Sequence, residues 1–104
     1  MAGDDLKITE DKTNSDTCRL ILEGRITSVT SNDLSFKLFQ AEKKYKHIIL
    51  NMRKVSYLSS GGIRILIMYF KSIKGSGGSF HVEMPSENVK NVLGMVALDE
   101  MLLK

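Results

Sequence analysis

Apolar and polar residues alternate over residues 6–10 (LKITE) and again over residues 17–23 (TCRLILE), the two-residue period of a half-buried strand. Residues 12–16 (KTNSD) between them are turn formers, and so short a connection predicts an antiparallel hairpin. Gly24 closes the second strand. Thr30, Ser31, Asn32 and Asp33 then offer candidate N-caps for a helix on which Leu34, Leu38, Ala41 and Tyr45 recur at helical spacing. Phe36 and Phe39 lie off this stripe and are expected to widen its buried face. Residues 47–52 (HIILNM) form a short apolar run, the pattern of a strand covered on both faces.

Residues 53–60 read as a loop leading into a helix over residues 63–73. Ile63, Leu66, Ile67, Phe70 and Ile73 supply its core stripe. Ile65, Met68 and Tyr69 make it apolar over most of its girth, so its other side is also expected to be covered. Gly75, Gly77 and Gly78 stop that helix. Residues 80–84 (FHVEM) alternate as a strand ended by Pro85, and residues 87–103 place Val89, Val92, Leu93 and Val96 at helical spacing. The order β-β-α-β-α-β-α implies an α/β fold: a mixed sheet with an N-terminal antiparallel hairpin at one edge, right-handed crossovers and packed helices.

With 104 residues, the chain has room for one domain spanning residues 1–104. A chain of this size buries roughly 65% of its unfolded surface, enough for a core without staples. Cys18 is the only cysteine, which suits a reducing compartment, and it reads as a small buried hydrophobe rather than an activated thiol. Residues 1–12 carry four acidic side chains and no apolar run, and the longest apolar stretch, residues 65–70, is six residues long. A bilayer needs about twenty. The expectation is a cytoplasmic domain with no membrane segment.

Fifteen Lys and Arg against twelve Asp and Glu leave a net charge of +3. The basic residues are scattered, and Lys43, Lys44 and Lys46 close a helix, where the dipole favours cations. Without a basic stripe and stacking aromatics, no direct nucleic-acid binding is expected. Enzyme chemistry is equally short of parts. A nucleophile elbow around Ser60 needs glycine where Leu58 stands. His47 and His81 lie in strands without a carboxylate pattern, and one cysteine with two distant histidines makes no metal set. The glycines at 75–78 follow a helix and precede a strand, the reverse of a phosphate-binding turn. A non-enzymatic protein without metal or cofactor is the expectation.

The informative stretch is residues 48–66, where a strand, a turn with two serines and two glycines, and a helix follow in order. Ser59 or Ser60 can cap the helix with its hydroxyl, leaving the other in solvent. The plain interpretation makes both serines caps and the glycines turn residues. The alternative is a modification site, because a phosphate at a helix N-terminus meets unpaired N–H groups and the positive end of the dipole.

Here Asn51-Met52 followed by Val55-Ser56-Tyr57-Leu58-Ser59-Ser60-Gly61-Gly62-Ile63-Arg64-Ile65-Leu66 resembles the signature of STAS domains of the anti-sigma factor antagonist (anti-anti-sigma) family. In that signature a strand ending in Asp or Asn precedes an aromatic–aliphatic pair, then Asp or Ser, the phospho-acceptor Ser, a small residue, Gly and an aliphatic. Tyr57-Leu58 fit the pair and Ser60 falls at the acceptor, ahead of Ser59, which stands where many members carry Asp. Gly61, Gly62 and Arg64 match the positions that follow, and Gly24 to Leu34 resembles the family's lead into its first long helix. The resemblance implies a STAS fold over nearly the whole chain and a partner surface of Asn51, Tyr57, Leu58, Ser59, Ser60, Gly61, Gly62 and Arg64. It also implies a cycle. The unphosphorylated protein, a monomer when free, binds an anti-sigma factor that is a serine kinase, freeing the sigma factor. The kinase supplies ATP and phosphorylates Ser60, ending the interaction, and a serine phosphatase resets it.

Two rivals remain. One is a STAS-type interaction module in another pathway, such as a stress assembly or partner switching in secretion or motility. The other is a self-associating scaffold, with Met95, Met101, Leu102 and Leu103 joined by Met68 and Tyr69 on an exposed surface.

Overall fold

The computed structural model describes residues 6–103; residues 1–5, the start of the acidic leading stretch, lie outside the described residues. Strand β1 (Leu6–Lys12) pairs antiparallel with β2 (Thr17–Ile26), from Leu6 opposite Gly24 to Lys12 opposite Cys18. Asn14 shapes the hairpin turn. Its Oδ1 accepts from the amides of Asp16 and Thr17 at 2.8 and 3.0 Å, an Asx turn. Helix α1 (Ser31–Lys44) leads to β3 (His47–Leu58), then come α2 (Ser60–Gly75), β4 (Ser79–Glu83), α3 (Glu87–Met95) and the short α4 (Asp99–Leu102). The sheet order is β1-β2-β3-β4, with both β2–β3 and β3–β4 parallel. The expected mixed sheet, with its hairpin at one edge and the order β-β-α-β-α-β-α, is what the chain forms, extended by α4.

Cys18, Leu20 and Leu22 of β2, Ile48, Leu50 and Met52 of β3, and Phe80 and Val82 of β4 are buried. Ile26 of β2, Val55 and Leu58 of β3, Leu34, Leu38 and Ala41 of α1, Leu66, Tyr69 and Ile73 of α2, Val89 and Leu93 of α3, and Leu102 complete that core. The alternate residues Arg19, Ile21, Ile49, Asn51, His81 and Glu83 are only half-buried. The apolar run 47–52 is therefore covered on one face, not two; Ile49 hides the alternation because it is apolar on the open face.

Residues 53–60 are not the expected loop. The strand continues through Leu58, with register shifts between Ile21 and Glu23 and between Gly24 and Arg25. Each shift gives β3 one more residue than β2, so burial falls on Met52, Val55 and Leu58 at spacings of three. Bulges of this kind erase the two-residue period. Gly24, at the second shift, takes φ 121°, a conformation open to glycine.

Because β4 ends opposite Asn51, the rest of β3 has no strand on that side among the described residues. The first turn of α3 takes the place of one. The Ser86 amide donates to Met52 O at 3.1 Å, its hydroxyl to Val55 O, and Asn88 Nδ2 to Ser56 O at 2.8 Å. The Ser86 hydroxyl also accepts from the Val89 amide as N-cap.

Three side-chain expectations change. Of the expected α2 stripe, Leu66 and Ile73 are buried and Ile63 and Phe70 are partly buried against the core, while Gly62 and Tyr69 join the buried face, Tyr69 donating its hydroxyl to Ser35 O at 3.2 Å. Phe36 and Phe39 do not widen the buried face of α1; they are 64% and 49% exposed. Residues 87–103 are not one helix, since Ala97 takes φ 60° and the Leu98 amide closes back on Leu93 O at 2.8 Å. A left-handed residue with that bond ends a helix in the Schellman manner. Of the apolar set read as a self-association surface, Tyr69 and Leu102 are buried, while Met68, Met95 and Met101 are exposed.

On the open face Arg19 Nε and Nη2 donate to the two carboxylate oxygens of Glu83 at 2.7 and 3.2 Å, and Asn51 Nδ2 adds a bond at 3.1 Å. The Arg19 bond, ahead of the one from Asn51, holds the Glu83 carboxyl below its ordinary value of 4.5. A depressed acid stabilises the fold above its unfolded pKa and loses that contribution as pH falls through the folded one. Glu83→Gln should therefore lower stability near neutrality by under about 1 kcal/mol. The same variant should flatten the acid limb of the stability curve below about pH 4.5, measured by urea titration between pH 2 and 7.

Candidate functional site

Two helix N-termini converge at the carboxyl ends of β2 and β3. Ile26 ends β2, and its carbonyl accepts from the Ser59 amide at 2.8 Å, which ties the turn after β3 to the loop after β2. Ser59 is the N-cap of α2: its hydroxyl accepts from the Gly62 amide at 3.2 Å and its carbonyl from the Ile63 amide at 2.9 Å. With Ser59 so engaged, Ser60 occupies the first helical position and stands exposed. The choice left open in the sequence is thereby made. Ser59 caps, and Ser60 presents its hydroxyl to solvent.

Gly62 explains why the turn can be so tight. A Cβ there would stand 2.6 Å from Ile26 Cγ2 and 2.8 Å from Leu58 Cδ1, so the backbone passes where a side chain would not fit. Leu58 is 4% exposed. Leu58 and Gly62 thus face the core, correcting the expectation that they line a partner surface; they position the turn instead. Gly61 is half-buried, its hydrogen side looking at Ser28 and the Ser31 hydroxyl.

Tyr57 is 43% exposed on the far side of the strand, and its ring lies under the Arg25 guanidinium, 4.6 Å from the centroid. Arg64 is exposed one turn into α2, four residues from Ser60. Asn51 is placed elsewhere. It lies seven residues before Leu58 within β3, roughly 20 Å back along the strand, and belongs to the Arg19–Glu83 network. The expectation that the strand ends at Asn51 put it too near the serines.

The loop between β2 and α1 is a part of the site that sequence reasoning missed. Thr30 makes no side-chain cap; it accepts from the Thr27 amide at 2.8 Å and donates to Arg25 O at 2.7 Å. The Ser31 hydroxyl donates to Ser28 O at 3.0 Å. These bonds hold the loop beside Gly61 and leave Val29 72% exposed at its tip. The available signal was a single valine within a run of threonines and serines.

Residues 9–104 match the family of the STAS domain. This chain belongs to the STAS domain family. Among curated proteins, a putative anti-sigma factor antagonist of Thermotoga maritima is 33% identical over 60 residues, 58% of this chain and 53% of that protein. The chain spans about half the length of that relative. Among solved structures, an anti-sigma factor antagonist from Mycobacterium paratuberculosis superposes with a TM-score of 0.87 at 18% identity, covering 97% of this chain and 86% of that one. The anti-sigma factor antagonist SpoIIAA in its unphosphorylated form gives 0.81 at 17% identity, covering 92% and 85%. At such identities the structures share the fold.

In this STAS domain the first turn of α2 carries no acidic side chain, so nothing of the helix itself offsets its positive end. The Cys18 thiol is buried, and desolvation pushes its pKa up, away from nucleophilic character. Among the described residues no three His, Cys, Asp or Glu side chains gather to hold a metal ion, and no helix is long and apolar enough to cross a membrane. Since Ser59 supplies the cap, Ser59→Ala should cost about 1 kcal/mol of stability, whereas Ser60→Ala should leave the urea midpoint unchanged.

Proposed function

We propose that this STAS domain is an anti-sigma factor antagonist, a binding module switched by phosphorylation of Ser60. The observation that carries the reading is the division of labour at the helix start: Ser59 is spent on the cap and Ser60 is left exposed on a helix end without acidic side chains. The names of its relatives, one of them distinguished by its phosphorylation state, support the same reading.

A phosphate at Ser60 adds about −1.5 to −2 charges to the surface. The first-turn amides and the dipole accommodate it, so the fold stays intact while the surface changes sign. The partner surface is Tyr57, Ser60, Gly61 and Arg64 with Val29 beside them, positioned by Leu58, Ser59 and Gly62; Asn51 contributes by bracing the sheet. The unphosphorylated domain, a monomer in the cytoplasm, binds a serine-kinase anti-sigma factor and frees the sigma factor. The kinase transfers phosphate from its ATP to Ser60, the complex parts, and a serine phosphatase restores the hydroxyl. The domain itself binds rather than catalyses.

The test is capture from native lysate by wild type, Ser60→Ala and Ser60→Asp, identified by mass spectrometry. A kinase-type anti-sigma factor held by the first two and not by the third is the expected result. Equal capture by all three of a partner outside sigma-factor control would instead assign the domain to another signalling pathway.

A further inference from the structure

We propose that the partner engaged at Ser60 also lays an acidic, amphipathic helix along the furrow between α2 and α1, with Met68 and Phe39 as its apolar floor. This rests on the binding role argued for Ser60 and extends it to α1, which no part of the serine motif reaches.

Two shallow grooves meet on this side of the molecule. One runs down the outer face of α2 past Ser60, Arg64, Ile67, Met68 and Lys71. The other follows the seam between the helices, lined by Phe39, Glu42, Lys43, Met68 and Ser72. Met68 borders both, so the surface is continuous from the serine to the last turns of α1. The furrow is apolar where it is open: Met68 is 47% exposed and Phe39 49%, and Phe36, three residues earlier on the same helix, is 64% exposed. Residues three apart are neighbours on a helix surface, so these two phenylalanines form one patch. Scattered exposed apolar side chains are ordinary, but a contiguous patch rimmed by charge marks an interaction site.

The rim selects the occupant. Arg64, Lys71 and Lys43 supply three positive charges, and Lys43 Nζ is held 4.3 Å from the centre of the Phe39 ring. The acid on the lining, Glu42, accepts from the Ser72 hydroxyl at 2.9 Å and keeps its charge, so the lining still carries a net positive charge of two. An apolar floor between cationic rims complements an apolar ridge flanked by carboxylates. A seam between two packed helices accepts such a ridge as a third helix, read through anchors three and four residues apart. Met68, with its flexible thioether, can adjust to the ridge that arrives. Phosphate on Ser60, at the head of the furrow, places negative charge against that acidic helix.

The experiment replaces Phe39, and separately Arg64, by the photo-cross-linking residue p-benzoylphenylalanine in the full chain. Each variant is irradiated in native lysate and the linked segment sequenced. Position 39 is half exposed, and a thermal melt matching wild type establishes that the variant is folded. The expected result is that both positions link to the same kinase-type protein and that position 39 links to an acidic, apolar-faced helix of it. The link should disappear in the Ser60→Asp background. The purified partner should bind the Lys43→Glu/Lys71→Glu variant about tenfold more weakly. If position 64 links the kinase while position 39 links nothing, a second copy of this chain or a basic segment, the extension to α1 is overturned and the role of Ser60 stands. If the Ser60→Ala domain, with Arg64 intact, captures no kinase-type protein, the reading of Ser60 fails, and this inference fails with it.

Discussion

Ser60→Asp is expected to weaken binding of the kinase partner at least a hundredfold, while the thermal midpoint stays within a degree or two of wild type. Both halves follow from where the side chain stands. Ser60 is exposed at the first position of α2, and a carboxylate near a helix N-terminus is worth a few tenths to about 1 kcal/mol of stabilisation. Folding therefore tolerates the charge. Binding does not, because closing a partner over Ser60 strips water from it, and an unmatched buried charge costs about 2–5 kcal/mol. At 1.4 kcal/mol per tenfold, the middle of that range exceeds a hundredfold. Ser60→Ala should bind as wild type. Ser59→Asp is the sharper control, since aspartate caps a helix as well as serine and adds the same charge one residue away. It should keep both stability and binding, measured by calorimetry against the purified partner. If Ser59→Asp abolished binding as completely as Ser60→Asp, net charge rather than the position of Ser60 would be the cause.

Gly78→Ala is expected to be the most damaging single methyl in the chain, costing about 3 kcal/mol or more. Its Cβ would lie 1.9 Å from the carbonyl oxygen of Lys46, which already accepts from the Ser79 amide at 3.1 Å to begin the β3–β4 ladder. The closest clash is with backbone, which cannot rotate away, and Ile73 Cγ2 lies 3.0 Å off as well. Gly62→Ala should cost less, about 1–3 kcal/mol, because its clashes are with the side-chain ends of Ile26 and Leu58. It should also disturb partner binding, since relieving the clash moves the turn that carries Ser60. The remaining glycines calibrate the series. At Gly61 the nearest atoms are 3.5 Å away, ordinary contact, so Gly61→Ala should be near neutral. Nothing lies within 4 Å of a Cβ at Gly75, the last residue of α2, and alanine there should stabilise by up to about 1 kcal/mol. Urea midpoints at constant m-value decide the order. A Gly78→Ala protein as stable as Gly61→Ala would mean that β4 does not join the sheet in this register.

How much of this was legible in the sequence depended on whether local periodicity survived tertiary contact. The hairpin was readable because Leu6 and Ile8 of β1 and Cys18, Leu20 and Leu22 of β2 lie inward at every second position, and the Leu34-Leu38-Ala41 stripe because those three residues are buried at helical spacing. The second half of β3 was not, since two bulges turned its inward positions to Met52, Val55 and Leu58. Phe36 and Phe39 failed for another reason: hydrophobicity signals burial only if something buries it, and among the described residues Phe36 stays largely open while Phe39 is met by the Lys43 ammonium and remains half exposed. The break at Ala97 depends on an alanine with positive φ, which composition does not announce. At the site, the motif pointed to Ser60 and Arg64, and geometry then separated exposed residues from those that position them. Val29 and the furrow on α1 come from parts of the chain distant from the motif, so only the folded arrangement brings them to it.

The overhang of β3 beyond β4 bears on how this protein keeps from aggregating. A strand edge with unpaired amides and carbonyls is a template on which another chain can add a strand. Here the segment at risk, Val55 to Leu58, also leads into the turn that carries Ser59 and Ser60. Covering it with a further strand would extend the sheet and leave a new edge beyond it. Covering it with Ser86 and Asn88 ends the ladder in side chains, which no incoming strand can continue. Loss of both bonds, in Ser86→Ala/Asn88→Ala, should therefore show itself less in the melting point than in turbidity on prolonged storage at high concentration.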